Sequence, residues 1–204
     1  MNLIPRLYGI LDASCFTDAE ALYSSARELF AGGVTLLQYR NKTGNARQIL
    51  DHSREMKRRL GGSVKLIMND RADLCLAAGF DGVHVGQDDL SAEGARKVIG
   101  ESLWLGISTH SSKQLADADK TTANYLAIGP VFPTLRKVHP DPVIGLEGVR
   151  QARALTRKPL VAIGGITRAN CQEVIQAGAD AVAVISDLLL EPRKSAEEFF
   201  RILR

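Results

Sequence analysis

Apolar residues occur along the chain in short, nearly continuous blocks, separated by longer stretches in which they fall three and four residues apart. The blocks are RLYGILD (6–12), VTLLQYR (34–40), VKLIMND (64–70), GVHVGQ (82–87), LWLGIS (103–108), YLAIGPVF (125–132), PLVAIGG (159–165) and AVAVIS (181–186). Runs of Val, Ile and Leu that do not alternate with polar residues predict parallel strands covered on both faces. The stretches between them carry helix signals. Thr17 with Glu20, Ser111 with Gln114 and Ser195 with Glu198 each match a capping box, whose side chains satisfy free amides at a helix start. Leu22, Ala26, Leu29 and Phe30 recur at helical spacing, and Gly32, Gly61, Gly79, Gly100 and Gly178 stand where a left-handed closing residue is cheapest.

A weak repeat links these elements: AGGVTLLQ, AGFDGVHVG and AGADAVAVI each read as a helix end, a tight turn and a new buried strand. The spacing between copies varies, so one βα unit is reused rather than stacked as a solenoid. Eight such units in 204 residues predict a compact α/β fold, a single (β/α)8 barrel domain over residues 1–204, near the short limit for that architecture. A doubly wound open sheet is the alternative. It needs fewer strands, and no GxGxxG follows the first one.

Composition adds exclusions. With 45% hydrophobic and 24% charged residues, the chain matches an ordinary globular protein, and a net charge of +3 without a basic run gives no case for nucleic acid or a membrane surface. Cys15, Cys75 and Cys171 form no CxxC pair and no zinc-like spacing, which predicts buried thiols in a reducing compartment. Pro5 and Arg6 interrupt the first apolar run, so it reads as neither a signal peptide nor a membrane span, and the expected location is cytoplasmic.

A barrel collects its chemistry where the strands end. Here those ends are polar: Gln38, Arg40 and Lys42; Asn69 and Asp70; Gln87, Asp88 and Asp89; Ser108 and His110; Thr134, Arg136 and Lys137; then the turns Gly164–Gly165 and Ile185–Ser186. Asp70 and Asp89 would project from neighbouring strands. Two carboxylates without Cys or clustered His suit a hard ion such as Mg2+, whereas the plainer alternative is that each caps the helix that follows. The basic groups nearby favour the metal. Gln38, Arg40 and Lys42 alternate and so point one way on an extended strand, where they and Lys137 could grip a diphosphate. The Gly164–Gly165 and Ile185–Ser186 turns suit a second phosphate. His110 reads as a loop residue or hydrogen-bonded support, His84 as a satisfied core histidine, and Asp88, Arg71 and Asp73 as surface or capping groups. Trp104 and the tyrosines form no stripe for base stacking.

Taken together, QYRNK (38–42), NDRADLCLAAGFDGVHVGQDDL (69–90), GISTH (106–110), GPVFPTLRK (129–137), VAIGGI (161–166) and AVAVIS (181–186) resemble the motifs of the thiamine-phosphate synthases, over about residues 7 to 200. The resemblance implies a (β/α)8 barrel that joins a hydroxymethylpyrimidine diphosphate to a thiazole phosphate and releases pyrophosphate. It implies Mg2+ on Asp70 and Asp89. Gln38, Arg40, Lys42, Asn69, Ser108 and Lys137 would bind the pyrimidine diphosphate, with Arg40, Lys42, Ser108 and Lys137 closest to the chemistry. Thr134, Gly165, Ile185 and Ser186 would bind the thiazole phosphate. Arg136 stands where the family loop usually has a second Thr, and it would meet that substrate with different geometry. A sister branch resembles a thiazole tautomerase that needs no Mg2+, lacks these aspartates and has His where this chain has Pro130. A third reading is a non-catalytic carrier of thiamine-precursor phosphates.

Overall fold

The computed structural model describes residues 4–134 and 141–204. Its eight strands are β1 (Leu7–Asp12), β2 (Leu36–Arg40), β3 (Lys65–Asn69), β4 (Gly82–Val85), β5 (Trp104–Thr109), β6 (Tyr125–Ile128), β7 (Leu160–Ile163) and β8 (Ala181–Val184). Each pairs in parallel with the next, and β8 pairs with β1, so the sheet closes into a barrel in chain order. The open-sheet alternative is excluded by that closure. The helices are α1 (Ala19–Ala31), α2 (Ala46–Leu60), α3 (Ala72–Ala78), α4 (Ala92–Ile99), α5 (Ser112–Asp119), α6 (Gly145–Leu155), α7 (Cys171–Gln176), α8 (Ser186–Leu189) and α9 (Pro192–Ile202).

The continuous hydrophobicity of the strands divides into two cores. On β1, Leu7 and Leu11 join the layer between barrel and helices, while Tyr8 and Ile10 join an inner cluster with Leu36, Ile67, Tyr125 and Val161. This is the two-residue period of a strand read on a surface buried from both sides. At the end where the strands begin, Trp104 packs against the inner cluster, with the Lys65 ammonium 4.5 Å from its ring centroid. The polar residues identified from the sequence lie at the opposite end.

Helix starts differ in part from expectation. Asp18, not Thr17, caps α1: its carboxylate accepts the Ala21 amide at 2.8 Å, and Thr17 donates to Asp18. Ser111 does cap α5, accepting from the Gln114 amide at 3.2 Å, but Gln114 Oε1 reaches back one residue further, to the His110 amide at 2.7 Å. Ser195 caps nothing. α9 begins a turn earlier at Pro192, whose fixed φ and missing N–H suit a first helical position. Phe30 is also half-exposed rather than part of the buried face formed by Leu22, Ala26 and Leu29. At the end of α1 the left-handed residue is Gly33 (φ +98°), not Gly32 (φ −79°).

Ser195 is thereby left inside the core, and its hydroxyl has no partner among the described residues. A buried hydroxyl without a partner costs about 1–3 kcal/mol. Ser195→Ala is therefore expected to raise the unfolding free energy by about 1 kcal/mol in urea titration; a loss of stability would show that the hydroxyl is satisfied in solution.

Candidate active site

Where the strands end, a cavity of about 650 Å3 opens at the mouth of the barrel. Gln38, Arg40, Lys42, Asn69, Asp70, Asp89, Ser108, Thr134, Gly165, Ile185 and Ser186 all line it. Arg136 and Lys137 lie outside the described residues. Barrel closure brings these groups together although they are spread over most of the chain.

The first corner is built by β1, β2 and β3. Strand register sets Asp12 beside Arg40, and the two form an ion pair in which Asp12 is almost wholly buried. Asp12 also accepts from the Ser14 amide at 3.0 Å and the Ser14 hydroxyl at 2.7 Å. Arg40 is thus held in one orientation by a fixed carboxylate. Beyond it, Asn41 Oδ1 accepts the Gly44 amide at 2.8 Å and folds the loop that carries Lys42. Lys42 pairs with Asp70.

Asp70 has φ +62°, the sole non-glycine residue with positive φ among those described. Its amide still donates to His84 O at 2.8 Å, so the left-handed turn comes directly after the β3–β4 pairing and redirects the chain into α3. A non-glycine residue in this conformation costs roughly 1–2 kcal/mol, and such strain concentrates at functional sites. Asp70 makes no capping bond to α3, and α4 is capped by Ser91. Asp89 instead accepts the Gly86 amide at 2.8 Å. Neither carboxylate therefore caps the helix that follows it. Burial raises the Asp70 pKa, Lys42 opposes that shift, and the adjacent Asp89 carboxylate adds to it; the net direction is upward. The two carboxylates are in contact, and the Lys42 ammonium pairs with one of them, Asp70.

Beneath this corner, a chain of hydrogen bonds crosses the barrel. Gln38 Nε2 donates to the Tyr8 hydroxyl (2.8 Å), the Tyr8 and Tyr125 hydroxyls bond (2.9 Å), and Tyr125 meets His84 Nδ1 (2.9 Å). His84 Nε2 then meets Ser108 Oγ at 2.8 Å. The His84 and Tyr125 rings stack with centroids 5.5 Å apart, in space that exists because residue 106 is glycine. A Cβ there would lie 2.1 Å from Tyr125 Cζ and 2.5 Å from His84 Nδ1. His84 is the satisfied histidine expected from sequence, but it also lines the cavity. His110 is a hydrogen-bonded support: its Nδ1 lies 2.6 Å from Gly129 O and 3.6 Å from an Asp141 carboxylate oxygen. Arg71 and Asp73 pair with each other on the surface.

On the far side, Gly164 (φ +99°) and Gly165 (φ +63°) turn the chain after β7. Both turn against the segment after β6: a Cβ on Gly164 would lie 2.6 Å from Pro130 Cα, and one on Gly165 2.6 Å from Pro133 O. Asn170 closes this loop, donating to Gly165 O at 3.1 Å and accepting the Thr167 amide at 2.8 Å. Ile185 and Ser186 lead from β8 into α8.

The family model for thiamine monophosphate synthase matches residues 7–188. A thiamine-phosphate synthase of Koribacter versatilis is 62% identical over 203 residues, covering 98% of this chain and 96% of that protein. The chain belongs to the thiamine-phosphate synthase family. Another thiamine-phosphate synthase, from Chloroflexus aurantiacus, is 42% identical, covering 89% of this chain and 83% of that protein. A solved structure of a thiamine phosphate pyrophosphorylase from Pyrococcus furiosus superimposes with TM-score 0.85 at 34% identity, over 97% of this chain and 95% of that one. Thiamine-phosphate synthases are transferases. No helix among the described residues is long and apolar enough to cross a membrane.

Asp12, Tyr8, His84 and Tyr125 were not singled out as site residues from sequence. Strand alternation contains the signal for three of them: Tyr8 and Asp12 share a face with Ile10, and His84 lies between the outward-facing Val83 and Val85. Tyr125 opens β6 in an otherwise apolar run, and only the fold shows that its hydroxyl reaches across the barrel.

Burial lowers the His84 pKa to about 4, against a weak upward pull from Asp89. The unfolded chain takes up a proton below about 6.5, while the folded chain resists it until about 4. Folding stability should therefore fall as pH drops from 6.5 to 4, by an amount on the order of 2–3 kcal/mol from this group. The check is an NMR titration of the ring, which should stay neutral through pH 5; protonation near pH 6.5 would refute the assignment.

Proposed function

We propose that the protein condenses hydroxymethylpyrimidine diphosphate with thiazole phosphate, giving thiamine phosphate and pyrophosphate. The observation that carries this reading is the layout of one cavity. A carboxylate pair beside Arg40 and Lys42 occupies one side, an amide-and-hydroxyl floor lies below, and glycine-turn backbone stands opposite. That arrangement matches a substrate with a diphosphate and a heteroaromatic ring, next to a second with a single phosphate.

Asp70 and Asp89 would hold Mg2+. The donor set fits: two adjacent carboxylates, with the Asp70 pKa raised by burial first and by the Asp89 carboxylate second, call for a hard cation. No group of three or more His, Cys, Asp or Glu suited to a metal occurs among the described residues, so an ion held by this pair would take its further ligands from water and diphosphate oxygens. When bound, the ion offsets negative charge gathering on the pyrophosphate leaving group.

The chain's own residues do the rest. Arg40, oriented by Asp12, together with Lys42 and Lys137, binds the diphosphate and stabilises it more strongly as the carbon–oxygen bond breaks and both electrons leave with pyrophosphate. Lys42, which pairs with Asp70 in this structure, is half-exposed, and it would turn its ammonium to the diphosphate when that substrate binds. Gln38, Asn69 and Ser108 orient the pyrimidine, and two of these are fixed from below through Tyr8, Tyr125 and His84. Thr134, Arg136, Gly165, Ile185 and Ser186 seat the thiazole phosphate, so that the thiazole nitrogen lone pair is aligned to form the new carbon–nitrogen bond with the pyrimidine carbocation. No protein nucleophile takes part. Cys75 and Cys171 are buried as expected and Cys15 only partly so, and the two buried thiols fit a reducing, cytoplasmic setting.

The test supplies both phosphorylated substrates with Mg2+ and follows pyrophosphate and thiamine phosphate. Product should form in Mg2+ and stop in EDTA, and Asp70→Ala or Asp89→Ala should lower kcat by about 100-fold or more. Equal rates in EDTA and Mg2+ would rule out the metal-dependent mechanism. Proton exchange on a carboxylated thiazole phosphate without condensation would assign a tautomerase, and binding of both substrates without turnover a carrier.

A further inference from the structure

We propose that Arg168 is a positioning residue for the single-phosphate substrate, acting through Asp187. This rests on the functional reading above, in which the turns after β7 and β8 seat that phosphate. Asp187 follows Ser186 directly and lines the same cavity. A carboxylate there lies beside the anion the turn would receive. Arg168 engages it three times: its backbone amide donates to Oδ2 at 2.8 Å, its Nε to Oδ2 at 3.0 Å and its Nη2 to Oδ1 at 3.0 Å. The remaining guanidinium nitrogen, Nη1, pairs with Glu198 on α9. Arg168 thus ties the loop after β7, the first turn of α8 and α9 together.

The physical consequence is electrostatic before it is mechanical. Burial pulls the Asp187 pKa up, but the Arg168 donors outweigh it and keep the carboxylate ionised. An ionised carboxylate at an anion site repels its ligand unless a cation is fixed beside it. The bidentate fork turns both carboxylate oxygens toward the guanidinium, which a lysine could not do with the same geometry. Arg168 therefore offsets the Asp187 charge at the phosphate seat from a position outside the cavity lining.

The experiment separates KM for the two substrates. Arg168→Met should raise KM for thiazole phosphate about tenfold, the scale of one partly screened like charge, with KM for the pyrimidine diphosphate and kcat within about threefold of the parent. The double variant Arg168→Met/Asp187→Asn should bring the thiazole phosphate KM back to within about threefold of the parent, because the repelling charge is gone. Arg168→Lys should fall between parent and Arg168→Met, and it carries the test if the methionine variant does not fold. An unchanged KM, an equal rise for both substrates, or a double variant no better than the single one would overturn the proposal. A parent protein that does not condense the two substrates would instead refute the functional reading beneath it.

Discussion

Every polar group sealed inside an eight-stranded barrel must find its partner there, and this protein meets that constraint with one hydrogen-bond chain from Gln38 to Ser108. Five strands contribute: β2, β1, β6, β4 and β5. A partnerless hydroxyl or imidazole nitrogen in that interior would cost more than its hydrogen bond gains, so each member depends on the next. Burial keeps His84 neutral and pushes both phenols, Tyr8 and Tyr125, further from ionisation. The floor of the cavity is therefore uncharged, rigid and polar, which suits a heteroaromatic ring better than an ion.

The rim above it follows a different rule. Asp12 faces Arg40, Asp70 faces Lys42, and Asp187 faces Arg168. Pairing at the mouth of a cavity organises the side chains without filling the space between them. Arg40 and Arg168 are each fixed by several bonds or by a buried carboxylate. Lys42 is the most exposed of the three cations and the least constrained. Charge is thus stored in forms of different mobility: fixed where geometry must persist, loose where partners must change.

Much of this was legible in the chain. Eight apolar blocks became eight strands, and polar residues at their ends converged because closure in chain order leaves them nowhere else to go. The motif QYRNK placed Gln38 and Arg40 on one face by alternation alone. What could not be read were contacts that depend on register and depth. Asp12 meets Arg40 because the register pairs them, and Gly106 is needed because two rings from other strands stack over it. Helix starts were misread where two capping candidates adjoined, as at Thr17 and Asp18, or where Pro192 set the boundary a turn before a plausible serine.

Asp70 illustrates a tension between comfort and use. Its left-handed backbone is the conformation that glycine adopts without penalty, and a glycine there would carry no carboxylate. A redesign guided by stability alone would substitute this position among the first, gaining about 1 kcal/mol of backbone relief. The stabler protein would keep its barrel, its floor and its glycine turns, and would have lost half of its paired acids. Thermal robustness is for that reason a poor proxy for competence in this scaffold.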